Sequence, residues 1–136
     1  MDREYKEKLS HLNDLIQLSR VDGYESTIES NFIESVAERL GVAIDDLNNL
    51  KKGDIVIDFS PPKYEYQIIP QFHRIVLLMG IDRMIYKEEI QFCMDLGLKM
   101  GLNPSAVKEI VDKMIFYPNN IIPAEELENI FKKYYN

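Results

Sequence analysis

An all-α fold of about seven helices is predicted by three features of the chain: apolar residues recur at helical spacing, capping signals punctuate them, and one pattern occurs twice. Sliding residues 9–50 onto 69–110 without a gap superposes Leu18 on Leu78, Asp22 on Asp82, Glu29 on Glu89, Phe32 on Phe92 and Gly41 on Gly101. Between these identities apolar character is kept, as at Leu12/Phe72, Ile16/Val76, Val36/Leu96 and Leu47/Val107. An ungapped match of this kind implies an internally duplicated helical domain. With only two copies of a long period, the halves are expected to pack face to face about a pseudo-twofold axis.

The first helix is expected over residues 3–20, with Leu9, Leu12, Leu15, Ile16 and Ser19 on its inner stripe and Asp14 off it. Asp22-Gly23 ends it, and Ser26-Thr27-Ile28-Glu29 is a capping box that opens helix two. That helix runs to Leu40 with Ile28, Phe32, Val36 and Leu40 inward, and Gly41 stops it. A short third helix follows from about Asp45 to Lys52. Residues 53–61 alternate Ile55, Ile57 and Phe59 with polar neighbours and read as an extended connector, since a lone strand has no partner. Pro62 is expected as a first helical residue, and Tyr66, Ile69, Phe72, Val76 and Met79 continue at helical spacing. Pro70 inside this run should kink or split it. A helix over Lys87–Met100 buries Phe92, Cys93, Leu96 and Met100. Asn103-Pro104 starts the next, Tyr117-Pro118-Asn119-Asn120 is a turn, and a last helix begins near Pro123. One domain over residues 1–136 results: repeat one about 9–52, connector 53–61, repeat two about 62–116, and a C-terminal helix about 123–135.

Composition narrows the function classes. At 136 residues, 46% apolar and 29% charged, the chain is long enough for a packed core. It has no bilayer-length apolar run, no signal-like start and a single cysteine, so a cytoplasmic location is expected. A net charge of −7 argues against nucleic acid as a partner. The excess lies in residues 1–60, with 13 acidic against 7 basic side chains, which favours cationic partners there.

Two carboxylate pairs stand out: Asp22 with Glu29, and Asp82 with Glu89. Each brackets a tight turn between helices. Pseudo-symmetry could bring four carboxylates together, hard-oxygen chemistry suited to a divalent cation, with Glu25 and Glu88 as nearby spare ligands. The same residues are also explained as helix caps and as acids at the positive end of a helix dipole. An EF-hand is excluded by spacing, because Thr27 stands where its glycine belongs and Ile33 where its glutamate belongs. His11 and His73 lack partners at metal spacing and are expected to be satisfied or exposed. Cys93 is expected in the core. No phosphate loop, nucleophile elbow or zinc motif is present. Solvated turn carboxylates would lack the burial that separates catalytic pKa values, so no enzymatic activity is expected and a carboxylate-based hydrolase is the minor alternative. Tyr64, Tyr66 and Lys132-Lys133-Tyr134-Tyr135 are the residues an interaction scaffold or homodimer would use, or else they lie along the domain's own core edge.

The run Leu15-Ile16-Gln17-Leu18-Ser19-Arg20-Val21-Asp22-Gly23, then Glu29, Phe32, Ala37, Leu40 and Gly41, resembles the TerB-like (tellurite-resistance B) family. Ile75-Val76-Leu77-Leu78-Met79-Gly80-Ile81-Asp82, then Glu89-Ile90-Gln91-Phe92-Cys93 and Gly101-Leu102, is similar to the second half of that family, and Phe59-Ser60-Pro61 to its compact two-repeat members. The resemblance covers about residues 9–115. It implies a cytoplasmic helical bundle linked to tellurite or other chemical stress. Its metal-binding acids would be Asp22, Glu29, Asp82 and Glu89, its ligand a divalent cation, and its partner such an ion or another protein. Arg83 departs from the family's glycine, and a cation there competes with a metal. Such domains serve varied contexts, so the resemblance does not carry function by itself.

Overall fold

The computed structural model describes residues 2–82 and 84–135. Their order is α1 (Arg3–Ser19), α2 (Thr27–Leu40), α3 (Ile44–Lys52), α4 (Glu65–Gly80), α5 (Lys87–Lys99), α6 (Pro104–Met114), a 3-10 turn (Pro118–Asn120) and α7 (Ala124–Lys133). The fold is all-α, with no strand among the described residues.

Local chemistry sets the helix ends. Asp2 caps α1 by accepting from the Tyr5 N–H at 2.8 Å, and Asn103 caps α6 through Ser105 and Ala106. Gly41 and Gly101 adopt left-handed φ values of 75° and 84° after α2 and α5. Each allows a reverse bond, Val42 N–H to Ala37 O at 2.9 Å and Leu102 N–H to Gly97 O at 3.1 Å. Thr27 and Lys87 start α2 and α5, and Ile44 and Pro104 start α3 and α6, so both pairs of starts are 60 residues apart.

α1 and α4 pack on each other through the middle of the molecule. α2 and α3 flank α1, α5 and α6 flank α4, α1 also meets α5, and α7 closes over α4 and α6. Leu9, Leu12, Leu15 and Ile16 of α1 are fully buried, as are Phe72, Ile75, Val76 and Met79 of α4. Phe72 meets Phe131 of α7 edge to face, with ring centroids 6.1 Å apart. Gly97 brings α5 onto this core, because a Cβ there would lie 2.9 Å from Val107 Cγ2 and 3.0 Å from Phe72 Cε1.

Several expectations are corrected. α4 begins at Glu65, and Pro62 is a buried residue of the connector, not a first helical residue. Of the kink or split expected at Pro70 there is no split: α4 continues from Glu65 to Gly80, with Pro70 exposed at the surface. Ile28 is half exposed and Ile33 takes the buried position on α2, while Phe32 and Phe92 are only partly covered and Tyr66 is exposed. Asp14 is buried, not solvent-facing, because α5 and the connector cover that side of α1. The connector is extended as expected, with Ile55, Ile57 and Phe59 against the core and Val56 in solvent. Ser60 N–H donates to Ser10 Oγ at 2.8 Å, pinning the connector to α1.

Candidate functional site

The turns after α1 and α4 are built alike. Asp22 Oδ1 accepts the Tyr24 N–H at 3.0 Å, and Asp82 Oδ1 accepts the Met84 N–H at 3.1 Å, so each aspartate closes a local turn. Five residues after each aspartate, α2 and α5 begin. Glu29 Oε1 accepts from the Ser26 N–H and hydroxyl, and Ser26 Oγ accepts the Glu29 N–H in return, completing the box. Glu89 Oε1 accepts the Tyr86 N–H at 3.0 Å. The capping reading of both glutamates is therefore correct.

Capping does not account for their electrostatics. Glu29 and Glu89 are only 3% and 2% exposed, against the expectation of solvated turn carboxylates, because each lies on the inward side of a first turn whose other residues, Thr27 and Ile28 or Lys87 and Glu88, are exposed. Burial raises the Glu29 pKa, the Ser26 hydrogen bonds pull it back, and the charges of Asp82 and Asp22 push it up again. Glu89 is driven further, to about 7, by burial first and then by Asp82, Asp22 and Glu29 against the pull of the Tyr86 N–H. Each glutamate thus feels the aspartate of the other turn. Asp22 and Asp82, which follow α1 and α4, are therefore both within electrostatic reach of the two buried glutamates.

The carboxylates converge electrostatically without forming a chelate. Among the described residues, no three His, Cys, Asp or Glu side chains are arranged to hold a metal ion. The expected spare ligands do not help: Glu25 is held by the Ser19 hydroxyl at 2.9 Å and by Lys51 and Arg20 at 3.5 and 3.7 Å, and Glu88 points to solvent. Sixty residues on from Ser19, Glu25, Ser30 and Lys51 stand Met79, Ile85, Ile90 and Val111, all packed in or against the core. An ion-pair cluster beside one turn is replaced by an apolar one beside the other. Arg83, expected to compete at the second half-site, lies outside the described residues.

The histidines are structural. His73 Nε2 bonds the Ile122 carbonyl at 2.7 Å. His11 meets the expectation that it is satisfied or exposed only in part: it is 1% exposed, its Nε2 lies 3.4 Å from Arg74 Nη1, and its Nδ1 has no partner among the described residues. Burial, with Arg74 nearby, holds its pKa down at about 3. Cys93 is fully buried, which lifts its thiol to about 12 and makes it inert as a nucleophile. The C-terminal tyrosines and lysine bind the domain itself: Lys133 and Tyr134 both donate to Glu109, and Tyr135 donates to Glu65.

Sequence reasoning missed Asp14, whose pKa burial raises to about 7 despite the opposing charge of Lys99. The signal was weak, since a single acid one position off an apolar stripe reads as solvated.

No helix among the described residues is long and apolar enough to cross a membrane. No family model matches the chain, and no curated protein or solved structure matches it.

Proposed function

We propose that this chain is a non-enzymatic, TerB-like binding protein whose acidic face, formed by Asp22, Glu29, Asp82 and Glu89, takes a divalent cation. The observation that carries this reading is that two buried cap glutamates, Glu29 and Glu89, lie within electrostatic reach of both turn aspartates, which add to the effect of burial in raising them. Like charges held together in a folded protein raise each other's proton affinity, and a cation relieves the same repulsion. The absence of a ready three-ligand cluster among the described residues favours a hydrated ion of the Mg²⁺ kind, which keeps several waters and needs only one or two carboxylates directly. Cap hydrogen bonds hold Oε1 of each glutamate, so Oε2 and the aspartate oxygens would face the ion or its waters.

Calorimetric titration with Mg²⁺, Ca²⁺ and Mn²⁺ tests this. Saturable binding in the wild type that is lost in Asp22→Asn/Asp82→Asn supports it. Heats that never saturate, or that persist unchanged in the double variant, refute it.

A second reading is an interaction scaffold, favoured by a groove of about 360 Å³ between α4 and α7 lined by Tyr66, Ile69, Pro70, Phe131 and Tyr135. In that reading the acids are caps only, and self-association would be sensitive to Tyr66→Ala and indifferent to Asp22→Asn.

A further inference from the structure

A second polar cleft of about 410 Å³ opens between α1, α5 and the connector, away from the acidic turns. Asp14 and Gln17 of α1 line one wall, Phe92, Asp95 and Lys99 of α5 the other, and Phe59 of the connector closes one end. Asp14 is 8% exposed, and its carboxylate, open to the cleft, makes no hydrogen bond or ion pair among the described residues. A carboxylate this far covered is ordinarily held by protein donors, and this one is left to the cleft instead. Lys99, the nearest cation, does not close on it: the ammonium lies over the Phe59 ring, 4.4 Å from the centroid.

Helix packing does not require an acid there. Sixty residues on from Asp14 stands Arg74, and from Gln17 stands Leu77. On that side Phe32, Leu77, Ile81 and Ile121 line an apolar cleft, and His73 bonds the Ile122 carbonyl across from α4 to the chain leading into α7. No carboxylate lines that second cleft.

We propose that this cleft is a binding site for a small organic cation, an alkylammonium or guanidinium group received by the Asp14 carboxylate with its hydrocarbon against Phe92. Three features select that chemistry. Asp14 and Asp95 give two acceptors for charged donors, the Gln17 carboxamide adds a neutral one, and an aromatic wall beside a carboxylate is the usual environment for an organic cation. The volume suits a ligand of a few carbon atoms. Burial, which raises Asp14 to about 7, leaves the carboxyl poised to ionise when a cation arrives.

The probes are agmatine and n-butylguanidinium as free cations, and an end-blocked Gly-Arg-Gly peptide as a protein-borne guanidinium, titrated calorimetrically into the whole chain. Saturable binding is expected, weakened at least about tenfold in Asp14→Asn, as befits loss of a charge-assisted bond. Preference for the free cations assigns the source as a small molecule, and preference for the peptide assigns it as an Arg side chain. Because Asp14→Asn alters a buried position, Gln17→Lys, at an exposed rim position, is the second variant and should weaken binding to a similar degree. Asp22→Asn/Asp82→Asn should leave it unchanged, which separates this site from the acidic face. No saturable binding by any probe, or wild-type affinity retained in the folded Asp14→Asn and Gln17→Lys proteins, overturns the proposal.

Discussion

Glu89→Gln should make this protein more stable at pH 8 and leave it unchanged near pH 4. Glutamine keeps the Oε1 acceptor for the Tyr86 N–H, so the helix cap survives while the charge is removed. In the folded chain the Glu89 carboxyl is raised from 4.5 to about 7, first by burial and then by three neighbouring carboxylates. A folded state that holds its proton more tightly than the unfolded chain loses stability as pH rises through the interval, here from about 4.5 to about 7. At about 1.4 kcal/mol per pH unit, full ionisation of this one buried group costs up to about 3 kcal/mol. The variant escapes that cost. Urea unfolding at pH 4, 6 and 8 reads the difference, which should grow from near zero to as much as about 3 kcal/mol. A variant that is less stable than the wild type at pH 8, or a difference that does not change with pH, would refute both the burial and the repulsion assigned to Glu89.

Gly97→Ala should destabilise. Its methyl group would press on fully buried Val107 and Phe72, an overpacking cost of about 1–3 kcal/mol that exceeds the gain of about 0.8–1 kcal/mol in helix propensity. A melting temperature at or above that of the wild type would contradict the close approach of α5. Ser26→Ala removes the hydroxyl that donates to Glu29 Oε1 and accepts the Glu29 N–H, leaves the backbone bond from residue 26 to Glu29, and should cost about 1 kcal/mol in urea unfolding. A change within error would show that the box is not formed. His11→Leu should blunt the loss of stability in acid. The folded pKa of His11 is lowered from 6.5 to about 3, so its contribution is present above 6.5 and disappears as pH falls toward 3. Unfolding at pH 7 and pH 4.5 compares the two chains. An equal drop in both would mean that His11 is not held neutral.

The helices were readable because their periodicity and caps are local. Ser26-Thr27-Ile28-Glu29, Asn103-Pro104 and the glycines at 41 and 101 act within a few residues of themselves, and the structure uses each as its chemistry dictates. What failed depended on distant chain. Ile28 and Ile33 both fit an apolar stripe, and only the placement of α1 decides that Ile33 is inside. Pro62 has the local marks of a helix start, but the connector remains extended to Tyr64 before α4 begins. Asp14 carries no local sign of burial because α5 and Phe59, which cover it, lie more than forty residues away.

The acidic site was half readable. The choice of Asp22, Glu29, Asp82 and Glu89 followed from their recurrence, and their capping hydrogen bonds followed from position. Glu25 looked like a spare ligand because sequence does not show Lys51 and Arg20 turning toward it. Nor does sequence show whether two similar turns face each other or point apart. That is a property of how α1 packs on α4, and it decides whether four carboxylates act together.

The pKa of the Glu89 carboxyl, followed by ¹³C NMR in the wild type and in Asp22→Asn, with and without saturating Mg²⁺, is therefore the most direct measurement. The account predicts a value near 7 in the free wild type, a lower one when the aspartate of the other turn is neutralised, and a marked fall when Mg²⁺ is added. An ordinary glutamate value, indifferent to Asp22 and to the ion, would contradict it.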